Sequence, residues 1–163
     1  MKRIAKFEKV SEAQFLKDFE DVCAKEVYDG IKMPKRATSG SAGYDFYAPF
    51  DISLKPGQTV KIPTGIRVKI DDGWVLKIYP RSGLGFKYRL QLNNTVGIID
   101  SDYYNSDNEG HIFIKITNDS NEEKSFSVKA GEGFAQGIFV EYGITVDDEA
   151  DGVRNGGFGS TTK

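Results

Sequence analysis

Two hydrophobic periodicities divide the chain. Over residues 11–27, SEAQFLKDFEDVCAKEV, the apolar positions Phe15, Phe19, Val22 and Cys23 recur at helical spacing on one face. Ser11, with Gln14 three positions later, makes a capping box, and Gly30 lies just past the expected end. The spacing therefore predicts one helix over 11–27 that covers a flank of the domain, with Cys23 packed in the core. After Pro34 the period falls to two. In GIRVKI (65–70), Ile66, Val68 and Ile70 face one way, Arg67 and Lys69 the other. WVLKIYP (74–80), HIFIKIT (111–117), SFSVKA (125–130) and AQGIFVEY (135–142) read as further strands, separated by DDG, NDSNEEK and AGEG turns. About eight to eleven short strands with hairpin-length connections predict an all-β domain, a sandwich, jelly roll or small barrel.

Composition narrows the class. The 163 residues are 39% hydrophobic and 12% aromatic with 18 glycines, which suits many strands joined by turns. A net charge of −2 with no long block of one sign argues against a broad nucleic-acid surface and leaves room for a small anion pocket. One cysteine excludes an internal disulfide, and one cysteine with one histidine makes no zinc set. The opening MKRIAKFEKV lacks the apolar core of a signal peptide and no stretch is long enough to span a membrane, so the expected location is cytoplasmic.

The Walker-type and Rossmann-type glycine patterns and G-x-S-x-G are missing. His111 opens an apolar strand, where a structural role is the ordinary one. Four segments carry candidate chemistry. SGSAGYDFYAP (39–49) places Gly43 and Asp45 ahead of a strand, which a plain turn also explains. YPRSGLG (79–85) offers the Arg81 fork, the Ser82 hydroxyl, and backbone N–H groups opened by Gly83 and Gly85; it is either a turn or an anion site. In LNNTVGIIDSDYY (92–104) an apolar run leads into Asp100. A carboxylate held at the end of a buried strand suits a general base, and an Asx-turn aspartate has the same sequence. GEGFAQGIF (131–139) interrupts an apolar strand with Gln136, which needs a backbone or ligand partner. The closing RNGGFGSTTK (154–163) cannot order itself. Phe158 can stack on a planar ring, and Arg154, Ser160 and Thr161 can hold phosphates.

In order, SAGYD, PRSGLG, GIIDSDY, GEGFAQGIF and RNGGFGST resemble the five motifs of the trimeric deoxyuridine triphosphate nucleotidohydrolases, the dUTPases, across residues 34–161. The resemblance implies a jelly-roll homotrimer that hydrolyses dUTP to dUMP and pyrophosphate with Mg²⁺. Motifs one, two and four of a site would come from one copy, motif three from a neighbour and motif five from the third, residues 150–163 serving as an exchanged lid. By position, Asp100 resembles the base that activates water for attack on the α-phosphorus, and Tyr103 the ring that packs under the deoxyribose. Asn94 and the strand after it, including Gly97 and Ile99, resemble the uracil readers. Arg81, Ser82 and Gly83 match the phosphate motif, and Gln136 a further phosphate contact. Asp45 matches a carboxylate near the water shell of the metal. Phe158 resembles the lid aromatic, with Arg154, Gly159, Ser160 and Thr161 completing the lid.

Two features depart from the family pattern. Residues 104–109, YNSDNE, stand where the family usually has one residue; a solvated hairpin tip is the simpler reading, and altered access or a partner contact the other. RNGGFGST is also one residue shorter than the common spacing, which affects how Arg154 reaches the γ-phosphate. The rival readings are a dCTP deaminase, disfavoured by RSGLG and by Asp100, and a trimeric regulatory protein that signals through the same pocket or binds a protein inhibitor.

Overall fold

The alternating segments become strands, and their order sets where the candidate residues lie. The computed structural model describes residues 1–156. In chain order the strands are β1 (Ala5–Lys9), β2 (Lys35–Arg36), β3 (Tyr44–Tyr47), β4 (Ile52–Leu54), β5 (Thr59–Pro63), β6 (Ile66–Ile70), β7 (Trp74–Pro80), β8 (Leu90–Leu92), β9 (Gly97–Ile99), β10 (Phe113–Asn118), β11 (Phe126–Val128) and β12 (Gly133–Glu141). Every pairing is antiparallel. The largest sheet has the order β2-β3-β12-β7-β9; β5-β10-β8 form a second, and β1-β6 and β4-β11 pair as ribbons. The chain is mostly β, as expected, but carries three short α-helices among the described residues where one was predicted. Ile66, Val68 and Ile70 are buried as their alternation requires, and they join Ile62, Leu76, Ile78, Ile114, Ile116, Phe126 and Phe134 in one continuous core.

The predicted single helix over 11–27 is two helices, α1 (Glu12–Asp18) and α2 (Ala24–Gly30). The Ser11 side chain does cap α1 by accepting from the Gln14 N–H. The break has a local cause. Asp21 accepts from the Cys23 N–H at 2.8 Å, an Asx turn that competes with continued helix. Phe19 leaves the helical path to stack on Phe50, with centroids 5.0 Å apart. Val22 and Cys23 consequently point to solvent, so the expectation of a core-packed Cys23 is corrected. Phe15 is fully buried, packed against Phe19, Tyr28 and His111. No helix among the described residues is long and apolar enough to cross a membrane.

YPRSGLG is neither a bare turn nor an open loop. Arg81 caps a seven-residue helix, α3 (Ser82–Tyr88), which ends on Arg89 in the left-handed region. Residues 104–109 are not a solvated hairpin tip. They continue a 3₁₀ turn over Ser101–Asn105 and pack down: Ser106 is buried, and Glu109 accepts from the Ser11 N–H and Oγ at 2.7 and 2.6 Å. Burial opposes ionisation of Glu109, but those two bonds hold its carboxyl below the usual carboxylate range.

Candidate active site

The candidate residues gather in two places. The first is a cleft of about 470 Å³ whose walls include Ser41, Gly43, Asp45, Arg81, Ser82, Gly83 and Gln136. Sheet register explains the convergence. Gln136 on β12 lies opposite Asp45 on β3 and Tyr79 on β7, and Arg81 follows directly after β7. Arg81 reaches back, its Nε 3.2 Å from Asp45 Oδ1 and its Nη1 donating to the Gly133 carbonyl at 3.2 Å. Two interactions fix the fork while leaving other donors for an anion. Gln136 Nε2 donates to the Pro80 carbonyl at 3.1 Å, so the residue that interrupts an apolar strand finds a backbone partner. Its Oε1 lies 2.7 Å from where a Cβ on Gly43 would stand, so a side chain at that position would push the Gln136 amide aside. A Cβ on Gly83 or Gly85 would meet nothing within 4 Å, and neither has positive φ. No contact among the described residues demands glycine there; approach by a ligand would.

The second place lies around Asp100, which follows β9 and caps the 3₁₀ turn. Its carboxylate is 46% exposed and receives Arg154 Nη2 at 2.6 Å, while Arg154 Nε donates to Asp102 at 2.8 Å. The guanidinium also stands 5.9 Å from the centre of the Tyr103 ring. Tyr103 is buried, and burial raises its phenol above the ordinary value against the opposing Asn108 hydrogen bond. The phenol is therefore a neutral donor. Asn94 is exposed in the turn between β8 and β9, beside Thr95, whose φ is +67°. Gly97 and Ile99 are buried; a Cβ on Gly97 would come within 3.0 Å of Ile78. Asn93 is structural, accepting from the Thr117 hydroxyl at 2.9 Å.

The two places are not one site in a single chain. Ile99 pairs with Leu76 near one end of β7, whereas Arg81 leaves the other end. Asp100, one residue beyond Ile99, is level with Val75, and the six steps from there to Arg81, at about 3.3 Å each, separate the two by roughly 20 Å along the sheet. Phe158, Gly159, Ser160 and Thr161 lie outside the described residues.

Sequence reasoning missed the support beneath Tyr103. Asn108 and His111 contact its hydroxyl, and Asp18 contacts His111. His111 is fully buried, its Nε2 accepting from the Gly65 N–H at 2.8 Å, so it is structural. Burial lowers its imidazole below the ordinary value, against the pull of Asp18. Only the mismatch of a polar run beside a buried tyrosine hinted at this.

For a metal, the donor set is thin. No three His, Cys, Asp or Glu converge among the described residues, and Asp45 is the carboxylate on the cleft wall. One carboxylate suits a cation whose remaining ligands are phosphate oxygens and water.

A family model described as dUTPase matches residues 29–162. The chain is 43% identical over 144 residues to the deoxyuridine 5'-triphosphate nucleotidohydrolase of Lactococcus lactis, covering 86% of this chain and 95% of that protein. The crystal structure of dUTPase from Streptococcus mutans superposes with a TM-score of 0.65 at 33% identity, over 85% of this chain and 97% of that one. A Staphylococcus bacteriophage 80alpha dUTPase bound to dUpNHpp shares the fold at 21% identity, with a TM-score of 0.65, over 93% of this chain and 90% of that one.

Proposed function

The chain belongs to the dUTPase family and hydrolyses dUTP to dUMP and pyrophosphate, keeping uracil out of DNA, and from that premise we propose how its residues divide the work. The working unit is a homotrimer in which the Asp100 end of one copy faces the Arg81 cleft of the next. The observation that carries this is the placement of Asp100 and Arg81 at opposite ends of β7, too far apart to act on one phosphorus within one chain.

In this reading Arg81, Ser82, Gly83 and Gln136 bind the triphosphate, whose charge must be neutralised before a nucleophile can approach. Asp45, partly buried on the cleft wall, would hold a Mg²⁺ there together with phosphate oxygens and water. When bound, that ion draws charge from the phosphate oxygens. Asn94 and the backbone of Gly97 and Ile99 read the uracil edge, where fixed donors and acceptors reject cytosine. The Tyr103 ring lies under the deoxyribose and leaves no room for a 2′-hydroxyl. Asp100 takes a proton from water as its oxygen attacks the α-phosphorus; the bond to the bridging α–β oxygen breaks, and pyrophosphate leaves.

The C-terminal lid completes the account. Arg154 pairs with Asp100 and Asp102 and stands 5.9 Å from the centre of the Tyr103 ring. Substrate displaces it toward phosphate, which frees the base and uncovers the ring together. Phe158 then stacks over uracil while Gly159, Ser160 and Thr161 close on the phosphates, in exchange between copies. Pyrophosphate release should be measured from dUTP, dCTP, dTTP and UTP at equal concentration with Mg²⁺. Release from dUTP far above the others is expected; comparable release from UTP would remove the Tyr103 gate.

A further inference from the structure

The sugar-side face of the site depends on a tyrosine whose far end is tied down by two segments that stand apart from the shared motifs. Tyr103 Oη donates to the His111 carbonyl at 2.6 Å and accepts from Asn108 Nδ2 at 2.9 Å. Asn108 lies in the 104–109 run. Its amide is oriented by the Gly110 N–H, which donates to Oδ1 at 3.2 Å and turns Nδ2 toward the phenol. Gly110 has φ +71°, and a Cβ there would stand 2.7 Å from both the Tyr103 carbonyl and Tyr104 Cα. The loop closes onto Tyr103 only because that residue is glycine.

His111 is fixed from its other side. Nε2 accepts from Gly65 N–H at 2.8 Å, so the proton sits on Nδ1 and is given to Asp18 Oδ2 at 2.6 Å. Asp18 is the last residue of α1, and Gln14 Nε2 donates to the same oxygen at 2.8 Å. Glu109 pins the start of α1 through Ser11. The 104–109 run thus touches the phenol through Asn108, and the N-terminal helix supports it at one remove, by holding the His111 side chain. Arg67 adds to this support, donating to the Tyr104 carbonyl at 2.7 Å with its guanidinium 3.6 Å from the Tyr104 ring centre.

We propose that Asn108 and the Asp18–His111 pair are positioning residues for Tyr103, setting the height of its ring and thereby the preference for deoxyribonucleotide over ribonucleotide. This rests on the reading of Tyr103 as the wall under the sugar. A wall excludes one oxygen atom only if it cannot yield. A tyrosine held only at Cβ swings about two torsions; one held also at Oη does not.

The test is the ratio of kcat/KM for dUTP to that for UTP, measured beside thermal stability. Asn108→Ala lowers the ratio about fivefold, the worth of one hydrogen bond, chiefly through faster turnover of UTP. Tyr103→Phe, which loses both hydroxyl bonds, lowers it at least as far, and Asn108→Ala adds nothing in that background. Asp18→Ala acts in the same direction, and Asp18→Asn restores the ratio because its amide oxygen still accepts from Nδ1. Tyr103→Ala separates the two layers. If it leaves the ratio unchanged, the sugar-wall reading falls and this proposal with it. If it collapses the ratio while Asn108→Ala and Tyr103→Phe lower only stability, the wall stands and the positioning role is overturned.

Discussion

If the site is shared between copies, two dead variants must rescue each other, and the extent of rescue follows from geometry. Asp100→Asn removes the base from one half of the site, and Arg81→Ala removes a phosphate fork from the other. Within one chain these positions stand roughly 20 Å apart along β7, beyond the reach of either side chain. Let the two variants carry different tags, be co-expressed, and be purified on both tags so that only mixed assemblies remain. Around any mixed ring of three, there is one boundary at which an intact Asp100 meets an intact Arg81. One site in three is therefore whole, and turnover should recover to about a third of wild type whatever the mixing ratio. A ring of two would give about one half. Turnover no higher than that of the parent variants, in assemblies shown by mass to be mixed, would refute the shared site.

Two further outcomes test the local geometry. Gly43→Ala should leave the unfolding midpoint nearly unchanged, because the added Cβ strikes only the mobile end of Gln136 at 2.7 Å; it should raise the KM for dUTP several-fold, about 1 kcal/mol. An unchanged KM would remove Gln136 from phosphate binding. His111 gives a pH dependence of stability with a definite sign. Its folded value is lowered from 6.5, so the unfolded chain takes up the proton first as pH falls. The urea midpoint should be flat above 6.5 and decline below it, before the carboxylates of Glu8, Asp51 and Glu109, which titrate lower still, contribute their own losses. A midpoint that rises between about pH 6.5 and pH 5 would contradict the neutral, buried imidazole.

What could be read from the sequence was local, and what could not be read was not. GIRVKI and WVLKIYP became strands because alternation and β-branched content describe a strand's two faces without reference to partners. The motif residues could be singled out as candidates because their types and order match a family pattern, while residue type alone left a turn or a site equally open. The helix over 11–27 failed because apolar spacing does not register an Asx turn at Asp21 or the pull of Phe50, some thirty residues away. The 104–109 run looked solvated because its polar atoms find partners far along the chain: Glu109 pairs with Ser11, Tyr104 with Glu8. The proposed division of the site between copies was legible only as a family expectation, and the strand register that separates Asp100 from Arg81 is the observation that supports it.

Asp100→Asn tests the central claim most directly, with dUTP affinity and single-turnover hydrolysis measured on the same preparation. The amide keeps the shape and cannot take the proton, so affinity should stay within about threefold of wild type while hydrolysis slows about a thousandfold. Hydrolysis within about tenfold of wild type would mean that another group activates the water.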